Sequence, residues 1–154
     1  RLYHNLGNWR FQEVELNEAA CTGQLSTGAT FADVDGDGDL DLLVNGIAAG
    51  TRLFHNDGKG QWTEAKDSGL SRTASATSMA LADIDGDGDL DVALSRREAH
   101  GFYWYERKAD EEWVQHVLSE STELPQSLGA AAADVDRSSP GGSCARSYRR
   151  RRSA

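Results

Sequence analysis

The chain has 154 residues with 16 Lys and Arg against 25 Asp and Glu, a formal net charge of −9. Residues 137–154 hold six Arg and no acid, leaving ten basic and 25 acidic groups in residues 1–136, a balance of −15. That acidic body argues against nucleic acid or an anionic membrane as partner, no apolar run is long enough to span a bilayer, and Cys21 and Cys144 alone make no disulfide framework.

The first stretch, 1–16, opens with Leu2-Tyr-His-Asn-Leu-Gly7 and continues to Phe11. Its counterpart, Leu53-Phe-His-Asn-Asp-Gly58, lies fifty-one residues on and leads to Trp62; a looser copy runs Phe102-Tyr-Trp-Tyr-Glu106 and leads to Trp113. Residues 28–65 predict four short strands, at about 28–34, 40–46, 51–56 and 61–65. Residues 78–118 predict four more, at about 78–84, 90–96, 101–107 and 112–118. Gly- and Asp-rich turns separate them, and no segment carries a 3.6-residue apolar period. A third lead-in, 128–136, reaches Asp134 and Asp136 and then fails to complete. The basic, Ser/Gly-rich tail 137–154 reads as non-native to the repeat or as disordered, with a functional basic arm as the minor alternative.

Between the first two strands of each quartet lies the same acidic loop. Asp33, Asp35, Asp37, Asp39 and Asp41 alternate with Val, Gly, Gly and Leu; Asp83, Asp85, Asp87, Asp89 and Asp91 repeat the arrangement with Ile for Val. Like charges about 5 Å apart cost a few kcal/mol even at an effective dielectric near 20, so a cation is expected among them. Hard oxygen donors at short spacing, with Gly at the turn positions, select calcium over zinc or iron. An EF-hand would need a bidentate Glu at position 12, where Val44 and Leu94 stand, and helices on either side. The loop therefore joins strands. Positions 1, 3, 5 and 9 are expected to bind through side chains (Asp33, Asp35, Asp37, Asp41; Asp83, Asp85, Asp87, Asp91), and position 7 through the carbonyl of Asp39 or Asp89. Asp134 and Asp136 lack the ligand count for a third site.

Four strands per ~50 residues is the pattern of a propeller blade. The acidic loop, its strand flanks and the Phe/Tyr-His-Asn-x-Gly…Phe/Trp continuation resemble the FG-GAP/VCBS repeats of integrin-alpha-like β-propellers. The resemblance covers residues 1–136, though the Phe-Gly and Gly-Ala-Pro signatures of that family are absent as such. It implies an all-β partial propeller of about two and three-quarter four-stranded blades: 1–16 the second half of a blade, 28–65 and 78–118 complete, 128–136 the start of another. By that phase the chain is a piece of a longer array.

The same resemblance implies two calcium ions, a secreted or cell-surface location, and a non-enzymatic role in adhesion, ligand binding or scaffolding. Partners would be a protein or carbohydrate ligand and the other blades. The competing reading makes the chain the propeller portion of a larger extracellular hydrolase, lyase or redox enzyme with its chemistry elsewhere. His4 and His55 occupy equivalent repeat positions and read as structural. Trp62, Trp104 and Trp113 read as packing between blades, and Trp9 as surface.

Overall fold

The computed structural model describes residues 1–14, 25–96, 101–108 and 112–120. Strands β1 (Leu2–Asn5) and β2 (Phe11–Val14) form a hairpin. Next come β3 (Leu25–Ala32), β4 (Asp41–Ile47), β5 (Gly50–Asn56) and β6 (Trp62–Glu64), then β7 (Ala76–Ala82), β8 (Asp91–Arg96), β9 (Gly101–Arg107) and β10 (Trp113–Glu120). Among the described residues all pairings are antiparallel between sequence neighbours, giving one two-stranded and two four-stranded sheets in the orders β3-β4-β5-β6 and β7-β8-β9-β10. No helix occurs among the described residues, so none is long and apolar enough to cross a membrane there.

The eight strands of the two quartets lie within three residues of the expected positions. The main difference is at the first strand of each sheet, where β3 begins at Leu25 and β7 at Ala76. In both, a bulge shifts the register, between Ser26 and Gly28 and between Ala76 and Ser78. The extra residues are Thr27 and Thr77. Each uses its hydroxyl for a contact that a regular ladder would not offer: Thr27 donates to the Ala76 carbonyl at 2.6 Å, and Thr77 shares a hydrogen with the Ser95 hydroxyl at 2.8 Å. The lead-in at 128–136, the tail 137–154 and both cysteines lie outside the described residues.

Side-chain alternation along the strands produces the core. Leu43 and Leu53 from one sheet meet Val92, Leu94, Tyr103 and Tyr105 from the other, with Val34, Leu70, Ala76 and Trp113 closing the ends. The opposite face of the first sheet packs Leu42, Val44 and Phe54 under Trp62, which meets Phe31 edge-on at 6.2 Å. β4 is thus buried on both faces, which explains its nearly unbroken apolar run. Each such side chain contributes about 1.5–3 kcal/mol on leaving water. The three tryptophans expected to pack between blades divide. Trp113 joins the inter-sheet core, Trp62 covers the opposite face, and Trp104 stacks on His116 at 4.5 Å on the outer face of the second sheet. Trp9 is 92% exposed.

The connection from β6 to β7 belongs to both sheets. Thr51 donates its amide to the Ser71 carbonyl and Trp113 donates its amide to the Ser68 carbonyl, each at 2.8 Å. Gly50 and Gly69 adopt positive φ at these crossings, and a Cβ on Gly50 would lie 2.0 Å from Ser71 O. Only glycine suits both the conformation and the space.

Candidate metal centre

Each acidic loop sits at one end of its sheet, between the first two strands. Gly36 and Gly38 take φ of 80° and 93°, and Gly86 and Gly88 take 84° and 97°, which lets the chain curl around its own carboxylates. The curl is fastened by short-range acceptor bonds. Asp33 accepts from the amides of Gly36 (2.8 Å) and Gly38 (3.1 Å), Asp35 from Asp37 (3.1 Å), and Asp37 from Asp39 (2.8 Å). In the second loop Asp83 accepts from Gly86 (2.7 Å), Asp85 from Asp87 (3.2 Å) and Asp87 from Asp89 (2.9 Å). Asx turns of this kind place successive side-chain oxygens on the inside of the loop.

Position 9 does something different. Asp41 and Asp91 are fully buried at the first residue of β4 and β8. One oxygen of Asp41 accepts from the Val34 amide (3.1 Å) and the other from the Asn56 amide (2.9 Å). Asp91 repeats this with Ile84 (2.9 Å) and Arg107 (3.0 Å). Each carboxylate therefore clasps the start of the loop to the end of the third strand. Burial raises both carboxyls above the ordinary aspartate range, and the two backbone donors work against that rise. Asp85 is also raised, with desolvation as the first cause.

The donors converge. Asp33, Asp35 and Asp37 each bring an oxygen within 4.8 Å of the others, as do Asp83, Asp85 and Asp91. A third group joins Asp35, Asp41 and His55, with His55 Nδ1 at 3.3 Å from Asp35 and 3.5 Å from Asp41. The position-7 side chains turn elsewhere: Asp39 lies over Gly58, and Asp89 pairs with Arg107 at 3.3 Å. Oxygen-rich, mostly anionic and partly desolvated, this donor set fits a hard divalent cation such as calcium.

Sequence reasoning missed two groups at the edge of these loops. His55 reads as a packing residue because it repeats with His4, yet it reaches the first loop. At the corresponding place beside the second loop stands Glu106, which accepts from Lys108 and lies 2.7 Å from His116 Nε2. The signal available in sequence is position: each immediately precedes the last residue of the third strand, Asn56 or Arg107, which contacts the loop through its backbone. Beside the first loop, a cleft of about 470 Å³ opens between the two sheets, with Val34, Leu53 and Trp113 at its base and Asp35, His55 and Arg107 at its mouth.

The FG-GAP-like repeat family matches residues 1–44 and 33–94, more than half of the chain. The chain belongs to this family of repeats. The comparison with curated proteins returns no match.

Proposed function

We propose that the chain is a calcium-binding β-propeller repeat segment of a secreted or cell-surface protein, non-enzymatic, serving adhesion, ligand binding or scaffolding. What carries this reading is the duplicated loop, in which carboxylates converge at the same end of two successive sheets with the same hydrogen-bond scheme. Family membership supports the propeller architecture. Calcium at Asp33, Asp35, Asp37, Asp41 and the Asp39 carbonyl, and at the matching second-loop groups, would offset the charge that burial and crowding make costly. The ion would hold the turn between the two innermost strands and so fix the sheet register. Millimolar calcium outside cells suits modules of this type. Carboxylates held ionised by a cation serve poorly as general acids, which favours a binding role. The connection at 46–51 meets residues 71–75 of the 68–78 connection at the end of the sheets remote from the acidic loops, through Thr51 to Ser71 and Ala48 to Ser75, and Thr73 is exposed there. Loops of this kind are where a partner would dock.

Calcium should raise the thermal midpoint of the folded chain. A ligand that binds only the native state adds about 2.7 kcal/mol per site at a concentration 100-fold above its Kd. Combining Asp35→Ala with Asp85→Ala should remove most of that gain. An undiminished calcium response in the double variant would overturn the ligand assignment.

A further inference from the structure

The two loops share a scaffold but not a setting, and the difference resides in three consecutive residues that straddle the end of the third strand. The backbone bonds from Asn56 to Asp41 and from Arg107 to Asp91 fix the correspondence. His55 thereby matches Glu106, Asn56 matches Arg107, and Asp57 matches Lys108. Beside the first loop this triplet supplies no permanently charged cation. The Asp57 carboxylate is occupied with its own turn, accepting from the Lys59 and Gln61 amides at 2.9 Å each.

Beside the second loop the triplet supplies two cations. The Arg107 guanidinium lies 3.3 Å from the Asp89 carboxylate. The Lys108 ammonium pairs with Glu106, and it is further stabilised by the fields of Asp85 and Asp87. Glu106 in turn lies 2.7 Å from His116 Nε2. The ammonium thus sits in the carboxylate field that an incoming ion would have to enter.

We propose that Lys108, with Arg107, is a built-in countercharge that makes the second loop the weaker of two unequal calcium sites, the first loop being the stronger. This rests on reading both loops as calcium sites. A tethered cation lowers divalent affinity in two ways: it repels the ion directly, and together with His116 it occupies Glu106, which would otherwise add negative potential beside the second loop. One unit charge several ångströms from a divalent ion, in solvent of high dielectric and moderate ionic strength, changes affinity by roughly threefold to tenfold. The same countercharge stabilises the loop without its ion. The first loop's own third-strand end supplies no equivalent, Arg107 being shared with the cleft that Asp35 and His55 line, and that loop depends more on calcium for its order.

Calorimetric titration of calcium into the full 154-residue chain at low ionic strength tests this. Two binding events of unequal affinity are expected, with Asp85→Asn deleting the weaker and Asp35→Asn the tighter. Lys108→Gln, at a half-exposed side chain, should tighten the weaker event by about threefold to tenfold and leave the tighter one unchanged. An unaltered weaker constant in Lys108→Gln overturns the proposal, as does loss of the tighter event in Asp85→Asn. Uptake at both loops with those results would leave the calcium reading standing. No uptake at either loop would sink both.

Discussion

Asp41 and Asp91 hold two jobs in one carboxylate. As ninth members of the acidic loops they belong to the donor set, and as fully buried acceptors they tie the loop to the third strand. The second job does not need an ion. Asp41→Ala should therefore cost stability even in excess chelator, by about 2–4 kcal/mol, because the Val34 and Asn56 amides lose their acceptor. Urea unfolding in EDTA measures it, and a cost seen only with calcium present would contradict the clasp. Glu64 makes a second residue-scale case. Its side chain is 2% exposed, and it accepts two 2.7 Å bonds from Arg52 and an ion pair from Arg72. Those arginines, Arg52 foremost, hold its carboxyl below the usual glutamate range. A folded pKa below the unfolded one contributes stability that is complete above the unfolded value near 4.5 and fades as pH falls through the folded value. Glu64→Gln should remove that acid-side slope, as read from unfolding free energies between about pH 5 and 2. The carboxylate pattern of the loops was open to inspection in the sequence. The clasp was not, because it depends on which third-strand amide comes to face Asp41.

At the level of elements, alternation and turn residues were sufficient to place the strands, since β-strands buried on one or both faces declare themselves by spacing. The bulges at Thr27 and Thr77 were not legible. A threonine in a strand looks the same whether it continues the ladder or steps out of it, and only the partner across the gap (Ala76 for one, Ser95 for the other) distinguishes the two. The crossing of the β6–β7 connection over Gly50 was equally hidden. Gly50→Ala brings a Cβ to 2.0 Å from Ser71 O at positive φ, so the connection must shift. The loss should exceed about 2 kcal/mol, above the ~1 kcal/mol typical of a positive-φ glycine alone. The same substitution at Gly60, where nothing lies within 4 Å, should cost only the conformational part.

Taken whole, the two four-stranded sheets share one core, and neither keeps its inner face dry without the other. They are expected to unfold together. Leu53→Ala, which opens a void between the sheets, should cost about 2–5 kcal/mol. It should move the transitions reported by Trp62 and by Trp104 equally, in single-tryptophan backgrounds followed by fluorescence. Separate midpoints would mean that each sheet is its own cooperative unit. The repeat period made this shared core foreseeable in outline, because a four-stranded unit of about forty residues has two apolar faces to cover. Which face meets which neighbour was settled by the alternation of Leu42 with Leu43 and of Tyr103 with Trp104.

The connection between β6 and β7, hydrogen-bonded at Ser71 to one sheet and at Ser68 to the next, decides where a protease can nick the native chain. Cleavage around Asp57–Gly60, an exposed hairpin tip, severs no inter-sheet bond, and the two halves should stay associated. A cut at 68–71 would release both crossings at once. Boundaries for splitting, permuting or grafting this repeat therefore belong at the hairpin tips rather than at the seam where one repeat passes to the next.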